Sequence, residues 1–92
     1  MNEKKEIKEI TLHIFGKDFF IQTDMDEEYT RSIAKYLSDE MKSIARNAGA
    51  ERYEKIAVIT AMNIIEKYLT LEKQYKEMER RLSEILEKVK DL

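Results

Sequence analysis

From Glu51 to Leu92 the chain contains neither glycine nor proline. An unbroken run of this kind folds most simply as one α-helix, because every backbone N–H and C=O then finds its partner within the segment. At 1.5 Å per residue its roughly 40 residues extend about 60 Å, far beyond the width of a small globular head, so the last third is expected to project. In that part the apolar residues are Leu71, Tyr75, Met78, Leu82, Ile85, Val89 and Leu92, alternately four and three apart. This is a heptad seam, with Tyr75, Leu82 and Val89 at a and Leu71, Met78, Ile85 and Leu92 at d. The same register continues backwards through Tyr68, Ile64, Ala61 and Ala57. The competing solution is a long helix lying on the protein's own core, but too little chain remains to cover it.

Charges beside the seam set an orientation. Glu72 and Glu79 occupy e, while Lys67, Arg81 and Lys88 occupy g. A parallel pair brings g against the partner's e, whereas an antiparallel pair sets like against like, so a parallel dimer is expected. Exposed pairs of this kind contribute only about a few tenths of a kcal/mol each, and so choose orientation more than they supply affinity. Leu86 stands at e, where the earlier heptads carry Glu, and widens the strip formed by Leu82, Ile85 and Val89. Either two dimers associate through these tails, or Leu86 is an exposed leucine without consequence.

The rest of the chain is short and sparsely punctuated, with only Gly16 and Gly49 to mark turns. Residues 1–8 read as a charged tail with nothing to bury. From Ile10 onward Ile10, Leu12 and Ile14 alternate with Thr11, His13 and Phe15, and after Gly16 the residues Phe19 and Ile21 alternate with Phe20 and Gln22. A β-hairpin over 9–23 is expected, with Gly16 at the first position of a type II′ turn spanning Phe15-Gly16-Lys17-Asp18. Such a hairpin is marginal alone and must pack on helices or pair with a second copy. Asp24 is the expected N-cap of a helix over 25–47, with Asp26, Glu27 and Glu28 at its positive end. Its apolar stripe runs through Tyr29, Ile33, Tyr36, Leu37, Met41, Ile44 and Ala48, opposite Arg31, Lys35, Asp39, Lys42 and Arg46, and Gly49 ends it. The long helix follows from about residue 52, and 70–92 form the coiled-coil extension of an α+β head made by the hairpin and one helix.

The stretch Ala57 to Leu69 is apolar over about half its circumference, more than the stripe of roughly 100° that a surface helix needs. Two faces account for the excess. Ala57, Ala61, Ile64 and Tyr68 are assigned to the seam, and Val58, Met62, Ile65 and Leu69 to the first helix and the hairpin. Asn63 falls on the polar side and is expected to bond a strand edge.

Chemistry has little purchase on this sequence. There are 17 Lys and Arg against 19 Asp and Glu, so the formal net charge is −2 and lacks the basic excess of a nucleic-acid binder. No cysteine is present, so thiolate metal sites and disulfides are excluded. His13 is the single histidine and reads as an exposed strand residue; the acidic cluster from Asp24 to Glu28 lacks the spacing and glycine of a calcium loop. No metal, cofactor or catalytic group is expected, and no segment has the apolar length of a signal peptide or membrane span, so the expected address is the cytoplasm. At the hairpin tip Gly16-Lys17 sets a cation beside Phe15, Phe19 and Phe20, either as a recognition point or as a simple turn with a solubilising lysine.

The segments "ITLHIFGKDFFIQT" and "EKIAVITAMNIIEKYLTLEKQY", in this order and ahead of a coil, make the chain similar to the ZapA family of FtsZ-associated bacterial cell-division proteins. The likeness covers about residues 7–92 and rests on the turn Ile14-Phe15-Gly16-Lys17 and on Ile56-Ala57-Val58 through Ala61-Met62-Asn63-Ile64. It implies a dimer of α+β heads on a parallel coil, two such dimers joined antiparallel into a dumbbell, and a non-enzymatic role in crosslinking FtsZ protofilaments at the division septum. Lys17 matches the family's basic turn residue, while a second basic residue of some members falls on Phe20. Lys35 and Lys42 are further candidates for FtsZ contact. Glu54 matches an acidic residue of head dimerisation whose basic counterpart falls near Gly49, leaving Arg46 or Arg52 to substitute. Dimerisation is assigned to Glu54, Ala57, Ala61, Ile64, Tyr68, Leu71, Tyr75 and Met78, and tetramerisation to Leu82, Ile85, Leu86 and Val89. The runner-up is a coiled-coil adaptor with another cytoplasmic protein partner, followed by a small nucleic-acid-binding dimer such as an antitoxin.

Overall fold

The computed structural model describes residues 6–49 and 51–92. In chain order its elements are β1 (Lys8–Ile14), β2 (Lys17–Thr23), α1 (Glu27–Ala48) and α2 (Tyr53–Lys90), the α+β architecture with a long final helix that the pattern calls for. The chain divides into two compact units: residues 1–60 hold the hairpin, α1 and the opening turns of α2, and residues 61–92 are the remainder of α2. Of the tail expected at 1–8, residues 1–5 lie outside the described residues, and Lys8 already belongs to β1.

The hairpin forms with a different turn. Ile14 pairs with Lys17, so the loop is Phe15-Gly16, and both residues have positive φ, 45° and 84°. Positive φ at both positions is the type I′ geometry, whose twist matches that of the strands, and it puts Gly16 second, not first as in the type II′ turn expected. The register therefore differs by two positions from the expected one. Because side chains alternate with period two, the same residues still face inward, with Ile10 opposite Ile21 and Leu12 opposite Phe19.

Helix α1 packs on β1, and Ile10, Leu12 and Ala34 form a buried cluster with Ile14 and Ile21 around it. The helix is rotated from the expected stripe: Thr30, Ala34 and Met41 are buried, while Tyr29, Ile33 and Tyr36 are exposed. Small side chains at 30 and 34 allow close approach to the strand, which the tyrosine rings would prevent. Two hydrogen bonds fasten this contact. Arg31 Nη1 donates to the Thr11 carbonyl at 3.0 Å, and the Phe15 N–H donates to Ser38 Oγ at 2.9 Å.

The helix begins later than expected because Asp26, not Asp24, is its cap. The Met25 N–H donates to Thr23 Oγ1 at 3.0 Å, holding a turn after β2, and the Asp26 carboxylate then accepts from the Tyr29 N–H at 3.0 Å. Glu27 and Glu28 lie in the first turn, at the positive end of the dipole. At the other end Gly49 has φ 82° and donates its N–H to the Ala45 carbonyl at 3.2 Å.

In the opening turns of α2 the buried residues are Ile56 and Thr60. This corrects the two-face assignment at Val58, expected to cover the first helix and hairpin but exposed; Met62, Ile65 and Leu69, assigned to the same face, are exposed in the single chain as well. Periodicity misplaces the inward face because Thr60 is polar by type yet has 0% exposure. Asn63 is exposed.

Thr60 Oγ1 is buried with no hydrogen-bond partner among the described residues. Thr30, equally deep, instead donates from its hydroxyl to the Asp26 carbonyl at 2.8 Å. An unsatisfied buried hydroxyl costs about 1–3 kcal/mol, so Thr60→Val is expected to stabilise the protein by about 1 kcal/mol. Thermal melts at fixed protein concentration should show a midpoint several degrees higher, and Thr30→Val should shift it downward.

Candidate partner-binding surfaces

Four surfaces offer themselves to partners, and the first is the hairpin tip. Tyr53, the first residue of α2, donates its phenol O–H to the Ile14 carbonyl at 2.5 Å. Its ring lies 5.7 Å from that of Phe15 and 6.3 Å from that of Phe19, and Lys17 Nζ sits 4.5 Å from its centroid. Burial raises the Tyr53 phenol above its usual range, so at neutral pH it stays protonated and able to donate. Lys17 is thus an exposed cation resting on an aromatic face. Phe20, on the outer face of the hairpin, is 80% exposed, and His13 contacts Asp18 across the strands.

A shallow cavity of about 330 Å³ lies beside α1, floored by Leu12 and Ala34 and rimmed by His13, Arg31, Lys35, Ser38, Asp39 and Lys42. Lys35 is paired with Asp39 at 3.0 Å, and Arg31 with Glu27 at 2.9 Å. Lys35 and Lys42 are therefore brought together with Arg31, whereas Lys17 stands apart from them at Tyr53. The inner side of β2 is open: Phe19, Ile21, Leu37, Met41, Tyr53 and Ala57 line an apolar groove of about 300 Å³.

The fourth surface is the seam of α2. Leu71, Tyr75, Met78, Leu82, Ile85 and Val89 are each between 57% and 67% exposed in the single chain. Leu86 joins them, also exposed. On the side of the helix away from the seam, Arg80 bridges Glu77 at 2.6 Å and Glu84 at 2.5 Å, and Arg81, at the seam's flank, reaches Glu77 at 3.3 Å. Hydrogen bonding and charge from Arg80, then Arg81, hold the Glu77 carboxyl below its usual range.

The family model described as "Cell division protein ZapA" matches residues 10–92. The chain belongs to the ZapA family. Among its relatives, the cell division protein ZapA of Bacillus velezensis is 31% identical over 84 residues, covering 91% of this chain and 98% of that protein. ZapA of Bacillus subtilis is 30% identical over 84 residues, with the same two coverages of 91% and 98%. A solved ZapA mutant dimer from Geobacillus stearothermophilus shares the fold at TM-score 0.67 and 25% identity, covering 90% of this chain and 95% of that one. An unknown conserved bacterial protein from Pseudomonas aeruginosa PAO1 matches at TM-score 0.62, also 25% identical, over 91% of this chain and 98% of its own.

Of the ZapA-family positions read from the sequence, Lys17 is at the tip and Glu54 is exposed in the first turn of α2. Arg46 and Arg52 are also exposed, and none of the ion pairs among the described residues joins either to Glu54. Ala57 is half-buried and lines the β2 groove, Ile64 is half-buried, and Ala61 and Tyr68 are exposed. Sequence reasoning missed Tyr53, Ser38 and Arg31. Their only signal is residue type: a tyrosine at the start of a helix, and a serine and an arginine on a helix flank, become visible once the tip and the strand edge have been placed.

Among the described residues no cluster of three or more His, Cys, Asp or Glu has the makings of a metal site. The acidic run from Asp24 to Glu28 is absorbed locally, with Asp26 capping α1 and Glu27 paired with Arg31. No helix in the described residues is long and apolar enough to cross a membrane.

Proposed function

We propose that this ZapA-family chain binds FtsZ polymers and, without enzymatic activity, crosslinks and bundles protofilaments at the cytoplasmic division septum. The observation that carries this reading is the exposed heptad seam on a helix whose whole length falls within the family match. A contiguous apolar strip of that size on a lone chain calls for a partner, and its register suits a second copy in parallel. Ala57, Ala61, Ile64, Tyr68, Leu71, Tyr75 and Met78 hold the dimer, with Glu54 contributing at the head. The same second copy accounts for the uncovered rings of Tyr29 and Tyr36 and for the groove over β2. Leu82, Ile85, Leu86 and Val89 join two dimers antiparallel, which sets heads at both ends.

Crosslinking follows from symmetry. Each head needs only a weak contact, because binding at one end raises the effective concentration for the other. Lys17 supplies the contact at the tip, and Lys35 and Lys42 offer a second cationic surface on α1. The test is cosedimentation with purified FtsZ and GTP. Lys17→Glu is expected to weaken recovery with the polymers roughly tenfold while sedimentation equilibrium shows an unaltered assembly. Unchanged recovery would move the site away from the tip, and no recovery of the native chain would favour an adaptor with a different protein partner.

A further inference from the structure

We infer that Tyr53 is a positioning residue for partner recognition, holding the Lys17 ammonium and the tip backbone in the geometry in which they meet an acidic surface. The inference rests on the tip being the FtsZ contact. Tyr53 touches the tip in four ways: its hydroxyl bonds the Ile14 carbonyl, its ring contacts those of Phe15 and Phe19, and its face lies under Lys17 Nζ. A lysine has four side-chain torsions to freeze when it binds. One already resting on a ring has fewer left to lose, so its contact with a carboxylate is stronger than that of a lysine free in water. The phenol bond fixes the other end of the device. Ile14 and Lys17 are the paired residues flanking the loop, so the O–H anchors one strand where the ring supports the other.

The alternative is that Tyr53 only stabilises the head, and a double-substitution cycle separates the two. Tyr53→Leu is expected to weaken binding to FtsZ polymers about fivefold in the native background and less than twofold in a Lys17→Met background. Equal losses in both backgrounds would assign Tyr53 a purely structural role and overturn the inference. If Lys17→Met itself leaves binding unchanged, the tip reading falls and takes this inference with it. If Lys17→Met weakens binding and Tyr53→Leu does not, the inference falls alone.

A second series guards against poor folding of the leucine variant. Phenylalanine and then progressively fluorinated phenylalanines at 53 keep the ring's shape while draining the negative charge from its face. Binding should decline stepwise along the series, together with the upfield ring-current shift of the Lys17 ε-protons. A flat series, or tighter binding as the ring releases the lysine, would overturn positioning.

Discussion

Ile85→Glu combined with Leu86→Glu is expected to leave parallel dimers that still bind FtsZ polymers but no longer bundle them. The two residues are adjacent, exposed and part of the wide apolar strip with Leu82 and Val89. A carboxylate at each would place four like charges within each dimer's strip, and eight where two dimers meet antiparallel. In the proposed assembly the dimer seam from Ala57 to Met78 is untouched, so the lesion is expected to stay in the tail. Because linked heads gain about 10²–10⁴ in apparent affinity without any new contact, losing the link costs far more than losing one contact. Light scattering with FtsZ and GTP should fall to that of polymers alone, while sedimentation equilibrium reports dimers and cosedimentation persists at high protein concentration. Unchanged bundling by a species that sediments as a dimer would overturn the dumbbell mechanism.

Met41→Ala is expected to destabilise the head by about 2–5 kcal/mol, the range for removing a long apolar side chain from a packed core. Met41 is 1% exposed, as is Ile56, and it also reaches the groove that Tyr53 and Ala57 line. It thus belongs both to the buried interior of the head and to the wall of that groove. A small domain holds only about 5–15 kcal/mol in all, so the variant should lose a large share of its head stability. Two-dimensional NMR should show collapse of dispersion for residues 8–60, with the helical CD of the coil largely retained. Retention of head dispersion with a melting midpoint within a few degrees of the native value would show that the side chain is replaceable and that Ile56 and the Ile10 cluster carry the head.

How far the sequence could be read depended on how local each cause is. Heptad spacing and the absence of breakers sufficed for α2, since both depend on neighbours three or four residues away. The hairpin was legible for the same reason, but its turn was not. Gly16 fits either turn type, and Phe15 at positive φ is an unusual choice supported by Ser38 and Tyr53, which are distant in sequence. The rotation of α1 and the inward face of α2 were hidden by residue type. Ala34 and the two threonines, Thr30 and Thr60, are buried because they are small, and an apolar count overlooks them in favour of Tyr29, Val58 and Met62. At the candidate site, Lys17 could be named from its turn, whereas Tyr53 required the fold. A single chain leaves the seam residues uncovered, so their roles come from periodicity and not from any contact within it.

At the hairpin turn Phe15 sits in the left-handed region of backbone space. A bulky residue at φ 45° costs of order 1–3 kcal/mol, a large sum for a two-stranded hairpin that is itself marginal alone. What offsets it is the Ser38 hydroxyl on the Phe15 N–H and the Tyr53 ring against the Phe15 side chain, both supplied from outside the hairpin. The tip is therefore conditional: a chain whose α1 or first α2 turn has come loose no longer presents it in this shape. A partner that reads the tip would thereby read the state of the head as well, since the loop has this shape only while Ser38 and Tyr53 are in place.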